Sequence, residues 1–125
     1  MNIQEKALEH FGKELITSVR DETIWDIEAM ITGQLNGDTA VKVREKLVKF
    51  SASQREIVMW FVKEAVDSAL HQLLLALEQS DTIKVSVEVQ GSRVPDIKTA
   101  SGGLSGELYS DEGWIARFSK YAVEI

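Results

Sequence analysis

Cysteine is absent from this sequence. Its absence removes a disulfide framework, a cysteine nucleophile and any thiolate metal site. Positive charge is also scarce: fourteen Lys and Arg stand against twenty Asp and Glu, for a net charge of -6. Nonspecific nucleic-acid binding draws on accumulated positive charge, so this balance argues against it. No apolar run approaches the ~18 residues that a membrane-spanning helix needs. The start, MNIQEKALEHFGKEL, carries three glutamates and lacks the basic segment and uniform apolar core of a secretory signal. The expectation is a cytoplasmic protein without a membrane partner. One proline, Pro95, and eight glycines complete the short supplies.

What remains is ordinary globular material, 44% hydrophobic and 27% charged over 125 residues. A chain of this length reads as one domain that buries about two-thirds of its unfolded surface. Residues 1–79 are expected to be helical. Ile3, Ala7, Leu8, Phe11, Leu15 and Val19 recur at helical spacing over residues 2–19. Asp21 is placed to cap a second helix with Ile24, Ile27, Ile31 and Leu35 as its stripe, and Asn36-Gly37-Asp38 reads as its stop. A third helix starts at Asp38 or Thr39 and carries Ala40, Val43, Leu47 and Phe50. The longest helix is expected over 54–79, opened by a Ser53/Glu56 capping box. Its broad apolar face includes Val58, Phe61, Val62, Ala65, Ala69, Leu73, Ala76 and Leu77.

After Ser80 the apolar period falls to two. Ile83, Val85, Val87 and Val89 alternate with polar residues as in a half-buried strand, and Gln90-Gly91-Ser92 reads as a turn. Val94 to Ile97 reads as a short edge strand because it contains Pro95. The stretch GGLSGELYSDEGW, residues 102–114, holds four of the eight glycines. Its expected form is a β-hairpin at 104–119 turning at Asp111-Glu112, with Gly113 in a left-handed position. In that register Leu104, Leu108, Trp114, Ala116 and Phe118 share the inner face, and Glu107 pairs with Arg117. The predicted class is α+β: about four helices on one face of a small antiparallel sheet formed by residues 82–125.

The motifs for chemistry are weak. His10 with Glu14 and Asp67 with His71 lie one helical turn apart, but no pattern requires the two pairs to meet, so no metal is assigned. GLSGE around Ser105 departs from the G-x-S-x-G elbow, and KTASGGLSG matches neither phosphate-loop pattern. No catalytic residue and no cofactor are assigned.

Surfaces say more. Residues 39–55 hold five basic residues against one acidic, and Lys42, Lys46 and Lys49 share one side of the third helix. The long helix carries Trp60 beside a polar line of Glu56, Lys63, Glu64, Asp67 and His71. Tryptophan is enriched at interface hot spots. The interaction candidates are therefore Trp60, Lys42, Lys46, Lys49, Glu64, Asp67 and Tyr109.

The leading expectation is a non-enzymatic, acidic binding or regulatory protein with a basic protein partner. In size and charge alone it resembles the immunity-type proteins that neutralise basic toxins, and this general likeness transfers no residue. A second expected partner is another copy of the chain, meeting it through Trp60 and the leucine-rich end of the long helix. Two alternatives stand beside this reading. One is a small enzyme with a shallow site near 102–114, using Glu107, Tyr109, Asp111, Glu112 and Arg117. The other is nucleic-acid binding through the basic face of residues 42–55.

Overall fold

The computed structural model describes residues 1–121. A single helical rod opens the chain: α1 (Ile3–Glu14), a wider π-helical turn (Leu15–Asp21) and α2 (Glu22–Thr32) follow one another without leaving helical backbone. Asn2 caps its start by accepting a hydrogen bond from the Glu5 amide at 2.8 Å. Gly33, at φ 90°, ends it in the left-handed conformation that glycine tolerates. Asp21 is therefore no cap. Its backbone is helical at φ -66°, ψ -40°, and its carboxylate is buried. A π turn shifts the side-chain phase between the flanking helices, which is why two separate stripes are legible there.

α3 (Asp38–Leu47) packs on α2, and α4 (Ala52–Gln79) is the spine. The capping box of α4 lies two residues before the expected one. Ser51 Oγ accepts from the Gln54 amide at 3.2 Å, while Gln54 Oε1 accepts from the Ser51 amide at 2.8 Å. Glutamine at the third helical position serves as well as glutamate.

The architecture is α+β, with about four helices packed against a small antiparallel sheet. The sheet is two strands, β1 (Val87–Val89) and β2 (Ser92–Val94), paired Val87 to Val94, Glu88 to Arg93 and Val89 to Ser92. Gln90 and Gly91 both take positive φ, as a two-residue hairpin loop with strand-matching twist requires. The hairpin packs against α1. Ile83 is exposed and the residues up to Ser86 make no ladder, so the expected strand is realised only at its end. The strand expected over Val94 to Ile97 lies earlier: β2 ends at Val94, Pro95 and Asp96 make no ladder, and Ile97 opens a 3-10 turn, Ile97–Ala100.

The hairpin expected at 104–119 does not form. Leu104–Leu108 is a 3-10 turn and Trp114–Phe118 is a short helix, α5. Burial gives the reason. Trp114 and Ile115 are both buried while Ala116 is exposed, and consecutive buried residues cannot occupy one face of a strand. Glu107 and Arg117 do not pair across a ladder. Glu107 accepts from Ser101 Oγ at 2.9 Å, and Arg117 reaches Glu9 of α1 at 2.6 Å. The chain does reverse at Ser110–Gly113, where the Gly113 amide donates to the Ser110 carbonyl at 3.1 Å. Gly113 is not left-handed, however (φ -72°). A Cβ there would stand 2.1 Å from the Tyr109 carbonyl oxygen, so close backbone approach is what excludes a side chain.

The core joins Ala7, Ile16, Leu70, Leu74, Val87, Val94, Ile97, Leu104, Leu108, Trp114 and Ile115. Trp114 closes it by lying over Gly12 of α1, with Phe11 edge-on at 5.9 Å between ring centroids. A Cβ on Gly12 would come within 2.3 Å of the indole ring. Gly12→Ala gains about 1 kcal/mol of helix propensity. Overpacking at a closed site costs ~1–3 kcal/mol. The expected outcome is lower stability by denaturant titration, and reversal to a gain when the same change is made in a Trp114→Ala background.

Candidate functional site

The π turn brings two charged residues inside. Arg20 is 1% exposed and Asp21 3%. The Arg20 guanidinium donates from Nε to Asp67 Oδ1 at 2.6 Å and from Nη2 to Asp67 Oδ2 at 3.2 Å, a two-pronged clasp on α4. Its Nη1 donates to Ser119 Oγ at 2.8 Å. That hydroxyl donates in turn to Asp21 Oδ1 at 2.7 Å, and the Lys120 amide donates to Asp21 Oδ2 at 2.9 Å. One arginine therefore ties three parts of the chain together: the first rod, α4 and the segment after α5. Every charge in the cluster has partners, as burial demands. Removing one partner of such a pair costs about 3–5 kcal/mol, because the other charge is left buried alone.

With α4 and the C-terminal segment fixed side by side, a cleft of about 550 Å³ opens between them. One wall is the α4 line of Glu64, Asp67, Ser68 and His71; the other runs Leu108–Asp111 and continues through Ile115 and Ala116. Ile115 and the exposed Ala116 form an apolar floor over the buried Leu108. Glu64 and Asp111 carry its negative charge, whereas Asp67 is already engaged by Arg20. The His71 and Tyr109 rings lie 5.8 Å apart at a tilt, and among the described residues His71 Nδ1 is buried without a hydrogen-bond partner. Burial pushes the Tyr109 phenol above its ordinary value, and the nearby charges of Asp67 and Glu64 push it further the same way. The phenol thus keeps its proton at neutral pH.

Of the interaction candidates read from the sequence, Glu64, Asp67 and Tyr109 meet here, joined by His71 and by Asp111 of the catalytic alternative. Trp60 lies one turn before Glu64 on α4 and is 43% exposed. Lys42, Lys46 and Lys49 are exposed on and just after α3, away from this cleft. Arg44 beside them is structural: its Nη1 donates to the carbonyls of Met30 (2.8 Å) and Leu35 (2.9 Å), closing the end of α2. The five residues of the catalytic alternative are dispersed. Tyr109 and Asp111 line the cleft, Glu107 and Arg117 are held by Ser101 and Glu9, and Glu112 is not in the lining. His10 and Glu14 line a different, more open hollow of about 430 Å³ beside β1, so the two histidines do not converge. Among the described residues no three His, Asp or Glu side chains gather as metal ligands.

The sequence reading missed Arg20, Asp21 and Ser119 as site-forming residues, and placed His71 beside Asp67 without assigning it a site. A charged pair interrupting an apolar stripe between Ile16 and Ile24 is the signal that could have found the first two. Compared with protein-family models, with curated proteins and with solved structures, the chain matches none.

The shifted phenol has a measurable consequence. The unfolded chain gives up its Tyr proton near pH 10.0, before the folded chain does. This contribution to stability is whole below that pH, and is lost as pH rises through the folded value. In a Tyr121→Phe background, which leaves Tyr109 as the single tyrosine, ultraviolet titration of tyrosinate should place its midpoint above the ordinary value. Adding Glu64→Gln should lower the midpoint without restoring that value, since burial is the larger cause.

Proposed function

We propose that the chain is a non-enzymatic binding protein whose cleft receives a cationic side chain from a basic protein partner. The observation that carries this reading is the pairing of an apolar floor, Ile115 and Ala116 over the buried Leu108, with acidic groups at Glu64 and Asp111. Lysine and arginine are amphipathic in the complementary sense, with an aliphatic stem and a charged head. The stem would lie on Ile115 and Ala116, and the head would face Glu64 and Asp111. Tyr109 adds an aromatic face and, holding its proton, a hydroxyl donor. Trp60, half a dozen ångströms further along α4 by helical rise (~6 Å), supplies a large ring for the partner's surface around the seated side chain.

The overall charge of -6 favours approach of a basic protein before contact is made. Direct inhibition of a basic toxin, as by an immunity protein, is the concrete form of this function.

A lysine- or arginine-rich tetrapeptide serves as a first probe, followed in a nuclear magnetic resonance titration. The expected result is shifts at Tyr109, Asp111 and Ala116 that saturate, weaken with added salt and vanish in a Glu64→Lys/Asp111→Lys variant. Both positions are on the cleft wall rather than in the buried Arg20 cluster, so the variant should keep its fold. Immobilised wild-type chain should then retain a basic protein from the native lysate that this variant releases. Equal retention by both would refute the role of the cleft.

A further inference from the structure

The cleft holds its carboxylates apart, and that separation distinguishes one cation from another. Glu64 and Asp67 stand three residues apart on α4, where side chains are neighbours ~5–6 Å apart at Cβ. Asp111 belongs to the turn on the opposite wall. Among the described residues no three Asp, Glu or His side chains gather around one point. Tyr109, 46% exposed, links the two sets. The charges of Asp67 and Glu64 act on its phenol, which places them at the hydroxyl end of the ring. Asp111 leaves the chain two residues on, its Cα at most ~7 Å from that of Tyr109, nearer the end of the ring that joins the backbone.

We infer that the cleft selects arginine over lysine, with the guanidinium laid flat on the Tyr109 ring, Glu64 and Asp67 at one edge and Asp111 at the other. This inference rests on the cleft being the seat of a basic partner, and adds which residue of that partner it takes. The two cations differ in how their donors are spread. An ammonium carries three N–H groups on one nitrogen, so it is matched by acceptors that converge. A guanidinium carries five in a rigid plane, so it is matched by carboxylates set apart around its rim. A lysine head seated at Glu64 leaves Asp111 without a donor, and one seated at Asp111 leaves Glu64 without one. The faces of the guanidinium stack on an aromatic ring, and it gives up its water more readily than an ammonium does.

Asp67 takes part without giving up its buried partner. Arg20 engages each of its oxygens once, at 2.6 Å and 3.2 Å, and the Asp67 side chain is still 20% exposed. A carboxylate oxygen has a second lone pair to offer. The buried cluster sets one cation, Arg20, against two anions, Asp21 and Asp67, so its net charge is negative and reinforces the field of Glu64 and Asp111. The aliphatic stem of the arginine runs over Ile115 and the exposed Ala116.

Three tetrapeptides that differ at one residue, arginine, lysine or citrulline, test the inference when titrated into the isotope-labelled full chain. Citrulline keeps the shape of arginine without its charge. The shifts followed are those of the Tyr109, Asp111 and Ala116 amides. The arginine peptide should bind about tenfold more tightly than the lysine peptide, the effect of one further charge-assisted hydrogen bond, and the citrulline peptide should not saturate. Asp111→Ala should bring the arginine and lysine constants together, since both cations then find charge on the α4 wall alone. Asp111 is exposed on its turn, so this variant keeps the fold. Equal binding of the two cationic peptides, tighter binding of lysine, or a preference that survives Asp111→Ala would overturn the inference and leave the cleft as a seat for cations. Failure of both cationic peptides to bind, or citrulline binding as tightly as arginine, would remove the inference and the cleft's wider role together.

Discussion

The Arg20 guanidinium is the point on which the rest of this structure depends. A buried cation must be matched by anions and oriented acceptors, and each partner of Arg20 belongs to a different part of the chain. Asp67 is on α4, Ser119 follows α5, and Asp21 adjoins Arg20 in the same π turn. Three segments that hydrophobic burial alone would allow to slide are thereby given one relative position. The π turn is what makes this arrangement possible. It keeps the first rod helical from Ile3 to Thr32 while turning two successive charged residues inward.

Trp114 completes from the apolar side what Arg20 begins from the polar side. Its ring sits where Gly12 leaves no Cβ, so α5 lies against α1 while Ser119 and Lys120 are held by the charges further along the same rod. The cleft is a consequence of these two anchors. Its apolar floor is Ile115 and Ala116, laid over the buried Leu108. Its acidic groups project from walls whose separation the buried cluster determines.

How much of this was legible in the sequence differs by element. The helical character of residues 1–79 was, because apolar spacing acts locally: Ala52–Gln79 falls within two residues of its expected start. The turn at Gln90-Gly91 was also legible, since its backbone demands glycine whatever surrounds it. The segment 104–118 was not. Leu104 and Leu108, like Trp114 and Phe118, are spaced equally well for a helical turn or for alternate positions of a strand. What decides between them is the joint burial of Trp114 and Ile115 against α1, a tertiary fact. For the site, Glu64, Asp67 and Tyr109 stood out as surface polar and aromatic residues, but their convergence depends on Arg20. A helical stripe cannot announce that it will bury a charge whose partner lies 47 residues away.

Amide hydrogen exchange of an Asp67→Asn variant tests this dependence most directly. The substitution keeps the side chain's shape and removes the charge that Arg20 grips. The account predicts a local loss: amides from Leu108 to Lys120 exchange markedly faster, while those of α2 and of the β1–β2 hairpin keep their protection. Unchanged protection in that segment, or an equal loss over the whole chain, would contradict the account, since the arginine clasp would then not be what holds the cleft together.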